Sequence, residues 1–196
     1  TILRWTTLSA FFFAAVQFTL TTYLVTLLVE DVRLGLVAAG VALSVFQLSA
    51  VIGRLAWGAL ADLTGAGLRV LLTAYCLAFA SIVPLIFMHS GWAITFIYLA
   101  LGLLGAAGAG WNGVFVAETV HLARRGSAGR AIGGAFAFTF AGALIGPTAF
   151  AVAHGWIGLY THTAALIAVF ALAGCVCCAL GLREVTARNQ MSGGEG

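Results

Sequence analysis

Lysine is absent from this chain, and only 8% of its 196 residues are charged. A water-soluble domain of this length needs far more charge to clothe its surface. The nine cationic side chains are all arginines, and the formal net charge is +3. That charge is too small and too dispersed for a nucleic-acid interface. Without lysine there is no phosphate-binding loop of the glycine-lysine type. No soluble domain, long linker or low-complexity tract interrupts the sequence, and no cleavable signal is visible. The chain starts at Thr1 and enters an apolar segment within a few residues, which reads as a portion of a longer chain.

What the chain does have is long apolar runs. Apolar residues make up 62% of it, and the mean hydropathy is +1.10. Lipid is the solvent that tolerates this composition. Six segments stand out, at 6–29, 35–61, 68–88, 92–117, 128–153 and 158–182. Each supplies the roughly 20 residues that a bilayer-spanning helix needs. Strands would be shorter and would alternate, so the spacing predicts an all-α membrane protein with six transmembrane helices. Residues 1–185 form the bundle in this reading, and 186–196 form a polar, disordered tail.

An even number of spans puts both ends on one side. That side carries Arg4, Arg69, Arg124, Arg125, Arg130, Arg183 and Arg188, against Arg33 alone on the other. The asymmetry predicts cytoplasmic ends. Trp92 and Trp156 fall at the outer boundary, and Trp5 and Trp57 near the inner one, as an aromatic belt would place them. The four cysteines, Cys76, Cys175, Cys177 and Cys178, lie in apolar segments. Cys175 and Cys178 have C-x-x-C spacing, but no other ligand is near in sequence. They read as small hydrophobes, and no metal or cofactor is expected.

One charge stands inside a span. Arg54 lies two helical turns before Asp62, about 12 Å deeper at 1.5 Å per residue. Arg54, Gly58 and Asp62 share one face at i, i+4, i+8 spacing. A central arginine costs about 2.5–3.5 kcal/mol in lipid, so it asks for a water-filled cavity or an anionic partner. The run Gly58, Leu60, Ala61, Asp62 and Gly65 resembles the G-x-L-A-D-x-x-G loop signature of the major facilitator superfamily of secondary transporters. The resemblance implies half of a twelve-helix fold, with a missing N-terminal six-helix half as partner and a small-molecule substrate between the halves. It implies a multi-pass protein of the cell membrane, with the bacterial inner membrane as the expected location.

The resemblance also assigns roles. Arg54 is similar to the eighth-helix arginine of oxalate/formate and monocarboxylate carriers, which makes it a ligand for an organic anion. The alternative is a structural arginine that pairs with helix ends or phosphate headgroups. Asp62, with Gly58 and Gly65, would latch onto a helix N-terminus of the other half. A carboxylate is stabilised there by exposed N–H groups and the helix dipole. The basic residues usual after the second glycine are replaced by Ala66-Gly67-Leu68-Arg69. That departure, the absence of arginine between Arg69 and Arg124, and the start at Thr1 favour helices seven to twelve.

Glycine marks two further segments. Gly133, Gly142, Gly146 and Pro147 resemble the superfamily's antiporter motif, and read physically as close helix packing with a pivot at the proline. The fourth segment carries Gly102, Gly105, Gly108, Gly110 and Gly113 around Trp111 and Asn112. That pattern predicts close packing or local unwinding. Gln17, Thr21, Thr22 and Asn112 are the polar residues nearest mid-span, open to either cavity lining or helix–helix hydrogen bonding. His89, His121, His154 and His162 sit at span ends, and no carboxylate sits mid-span. If transport is proton-coupled, the titrating acid is expected outside this chain. Two other classes compete. An intramembrane serine protease finds its nearest match at Gly126-Ser127-Ala128-Gly129, in a charged loop and one position out of step. A self-contained six-helix channel lacks a T-V-G-Y-G filter or an acidic ring.

Overall fold

The computed structural model describes residues 2–122 and 128–193. Seven helices follow one another: α1 (Ile2–Glu30), α2 (Leu36–Thr64), α3 (Gly67–Ile86), α4 (Ile94–Gly108), α5 (Asn112–Leu122), α6 (Ala128–Ile157) and α7 (Tyr160–Gly193). Among the described residues there is no strand. Six stretches are long and apolar enough to cross a membrane, with α4 and α5 together supplying the fourth. Arg124, Arg125 and the Gly126-Ser127 pair lie outside the described residues.

The six-span reading therefore holds, with two differences at finer scale. The fourth span is not continuous, because the helix stops at Gly108 and restarts at Asn112. Each glycine in a helix costs about 1 kcal/mol relative to alanine, so Gly105, Gly108 and Gly110 weaken one short stretch together. The sixth span also runs on as helix to Gly193, past the polar tail read from Thr186. The Thr186 hydroxyl donates to the Leu182 carbonyl one turn back, so the polar residue is accommodated within the helix.

Helix ends are set locally. Gly65 ends α2 in the left-handed region (φ 60°) and donates its N–H to the Ala61 carbonyl. A residue with a Cβ pays a steric cost in that conformation. At the opposite end of the bundle, Asp31 caps α7. Its Oδ2 accepts the Thr161 N–H at 2.7 Å and the Thr161 hydroxyl at 2.9 Å. The first turn of α7 has orphan N–H groups, and this carboxylate satisfies one and ties α1 to α7.

Helix α1 packs chiefly on α7 and α6, and α2 on α4. Lipid tails are as apolar as leucine, so shape rather than water exclusion holds such contacts. At the α1–α6 crossing, a Cβ on Gly142 would overlap the Phe11 carbonyl, and one on Gly146 would lie 2.6 Å from the Ala15 Cα. At the α2–α4 crossing, Gly105 meets the Phe46 backbone and Gly53 meets Ala106 with no room for a side chain. Between the crossings lies an aromatic core. The Phe13 ring stacks on Tyr75 at 3.6 Å, and Trp111 meets Tyr75 and Phe115 edge-on at 6.0 and 5.5 Å.

Candidate functional site

The break in the fourth span creates a polar spot within the bundle. A helix that stops inside a membrane leaves carbonyls without their i+4 donors. Two side chains serve them here. The Trp57 indole N–H, from α2, donates to the Ala106 carbonyl at 2.9 Å. The Asn112 amide nitrogen donates to the Ala109 carbonyl at 3.4 Å, and to Gln17 Oε1 on α1 at 3.2 Å. Gln17 and Asn112, 95 positions apart in sequence, thus meet as a half-buried amide pair.

Thr21 lies one turn beyond Gln17 and spends its proton on the Gln17 carbonyl at 2.9 Å. Thr22 does the same with Phe18 at 2.8 Å. Both keep only lone pairs to offer. Arg54 is exposed, and its stem passes over α5, where a Cβ on Gly113 would lie 3.3 Å from the Arg54 Cγ. Glycine at 113 therefore lets the arginine lie close to the turn that carries Asn112. Among the described residues no carboxylate of the chain pairs with Arg54.

Helix α2 divides cleanly into two faces. Phe46, Ala50 and Gly53 are buried, and half-buried Trp57 continues that line toward α4. Gln47, Val51, Arg54 and Asp62 are exposed, and Gly58 between them has nothing within 4 Å of the place a Cβ would take. Gln47 was not singled out from the sequence, although its seven-residue offset from Arg54 puts it on the same face. From the sequence alone Trp57 reads as an interfacial belt residue. The structure turns its N–H inward, and the one clue was its position one turn after Gly53, on the packing face.

Two features lie apart from this cluster. The Glu118 side chain on α5 occupies the space where a Cβ on Gly67 would project, at the first residue of α3. A carboxylate there meets the positive end of the helix dipole, which joins the α2–α3 connection to the fourth span. An apolar groove of about 600 Å³ runs along α6 and α7, lined by residues that include Leu144, Ile145, Val152, Trp156 and Leu166. It contains none of the polar residues named above. Among the described residues no group of three histidine, cysteine or acidic side chains could hold a metal.

Six membrane-length spans, one of them broken and two pairs of them crossing on glycine, define a polytopic membrane protein with the fold of one six-helix half of a major facilitator superfamily transporter. Two solved structures illustrate the likeness. The E. coli fucose:proton symporter FucP superposes with a TM-score of 0.77 over 92% of this chain at 17% identity. An auto-inhibited POT-family peptide transporter gives 0.80 over 93% at 15% identity. The chain spans 43% and 37% of the lengths of those two proteins. Neither a protein-family model nor a curated protein matches the chain.

Proposed function

We propose that this chain is one half of a secondary transporter that moves a small organic solute, with a carboxylate group bound at Arg54. The observation that carries the reading is a juxtaposition. The only arginine in the apolar middle of a span lies over Gly113, one residue from the Gln17–Asn112 pair. A guanidinium offers five donors in a fork that suits a carboxylate. The amide pair offers further donors and acceptors for the rest of a polar solute.

In this reading a second six-helix half covers the exposed face of α2, and solute binds between the halves near the midplane. The two halves rock about it, giving alternating access. Asp62 latches the end of α2 to the other half in one state and releases it in the other. Both chain ends are cytoplasmic, and the bacterial inner membrane is the setting. The likeness to transporter structures and the unpaired Arg54 support these statements.

The test is uptake of radiolabelled lactate, pyruvate and oxalate by the full-length protein in liposomes. Arg54→Ala should abolish uptake of the carboxylate that the parent carries. Arg54→Lys should retain a small part of it, because a point charge replaces a bidentate fork. Carboxylate uptake that survives both substitutions unchanged rules out the anion-ligand role.

A further inference from the structure

The Ala106 carbonyl is the pivot of the broken span. In an unbroken helix it would accept the N–H of Gly110, four residues on. Here the helix stops at Gly108, and the Trp57 indole N–H occupies that carbonyl at 2.9 Å. Backbone bonds persist on both sides, from the Ala109 N–H to the Gly105 carbonyl at 3.1 Å and from the Phe115 N–H to the Trp111 carbonyl at 3.2 Å. Between these two bonds the N–H groups of residues 110–114 make no i−4 backbone bond, so the break spans the carbonyls of residues 106–110, and the indole serves the first of them.

Two further observations bear on the same turn. A Cβ on Gly110 would overlap the Ala106 carbonyl and approach the Gly53 backbone at 2.9 Å. The broken form therefore needs glycine at 110. The Trp111 indole N–H, in contrast, is buried with no partner. A buried donor left unmade is costly, so the broken form is held by something other than its own hydrogen-bond tally.

We propose that Trp57 is a positioning residue. It holds the fourth span in its broken form by standing in for the Gly110 N–H on Ala106, and so keeps Asn112 against Gln17. Release of the indole would let Gly110 reclaim the carbonyl. Re-forming that turn turns the face of α5 relative to α4 and withdraws Asn112 from α1. The inference rests on reading Gln17 and Asn112 as pathway-lining residues, but its test does not use transport.

The experiment uses the full-length protein in nanodiscs, with the native cysteines replaced by serine and the pair Gln17→Cys and Asn112→Cys introduced. Cross-linking by a short bis-thiosulfonate reports the distance between α1 and the start of α5. Trp57→Phe keeps a ring and removes the donor, and Trp57→His restores an N–H the same number of bonds from the backbone. Trp57→Phe should slow cross-linking by about three- to tenfold, the range expected for one net hydrogen bond. Trp57→His should return it to the parental rate. Gly110→Ala, which the broken form cannot house, should slow it as Trp57→Phe does, and it decides the matter if Trp57→Phe does not fold. Equal rates for Trp57→Phe and the parent overturn the proposal. So do equal losses in Trp57→Phe and Trp57→His, which would assign the effect to ring size. Failure here leaves the Arg54 uptake test standing, and failure of that test leaves this one readable.

Discussion

Two glycines on α6 should respond to the same substitution with opposite signs. Gly146 sits on the α1 crossing, where an added Cβ would lie 2.6 Å from the Ala15 Cα and 2.8 Å from its Cβ. Carbon pairs prefer about 3.5–4.0 Å, so α1 and α6 must part by about 1 Å to admit the methyl. That separation strips contact from the length of a crossing held by shape alone. Overpacking of this kind costs about 1–3 kcal/mol, which at a backbone-to-backbone contact outweighs the helix-propensity gain of at most about 1 kcal/mol. Gly133 is on the same helix and exposed, with nothing within 4 Å of its would-be Cβ. Only the propensity term remains there. Gly146→Ala should therefore lower stability by up to about 2 kcal/mol net, and Gly133→Ala should raise it by up to about 1 kcal/mol. Reversible unfolding in mixed dodecyl maltoside and sodium dodecyl sulfate micelles, followed by tryptophan fluorescence, measures both. If the two variants shift in the same direction, the glycine contacts do not set the α1–α6 spacing and the argument fails.

The capping carboxylate offers a second measurement: Asp31→Ala should destabilise by about 1–2 kcal/mol in the same titration, with hydrogen exchange rising first at the start of α7. Asp31→Asn, which keeps an acceptor, should cost less. At Gly65, where φ is 60°, alanine should cost about 1 kcal/mol through backbone strain alone, and proteolysis at the α2–α3 connection should quicken.

The span count and the glycine contacts at Gly142 and Gly146 were legible because each follows from periodicity and residue size. A stretch of about 20 apolar residues has few alternatives in lipid. The Gln17–Asn112 contact was legible only as two separate residues. Nothing local in a helix records which distant side chain it will meet, and these two are 95 positions apart. The exact site of the helix break was hidden for a related reason. Its energetics depend on Trp57, which sits 49 positions before the carbonyl it serves. A tryptophan near a span end suits the interface equally well, so composition alone assigned it there. The Asp31 cap was hidden too, since a carboxylate beside a short connection reads simply as a polar span end.

The two faces of α2 explain why the pathway is proposed on this side of the bundle. Phe46, Ala50, Gly53 and Trp57 fall at offsets of four, three and four, and that line packs on α4. Gln47, Arg54, Gly58 and Asp62 fall on the adjacent line, where Gln47, Arg54 and Asp62 are exposed and Gly58 is half-buried. Only 28% of the apolar window of α2 is buried within the bundle, the smallest share of the six spans, with the fifth next at 33%. Acyl chains can cover the leucines and valines of such helices at no cost. They cannot solvate Arg54, which lies about 15 Å from the end of a helix about 43 Å long, near the depth where a charge costs most. Snorkelling relieves a residue near a span end, but only in part at that depth. Moving Arg54 toward solvent along α2 would also draw its stem off Gly113, where the chain has left space for it. Water, a solute anion or a second protein surface therefore suits this face better than lipid. The same line carries glycine at its centre, where a partner helix could come close, and a carboxylate at its end. A face built in that way is costly in lipid and suits a polar partner.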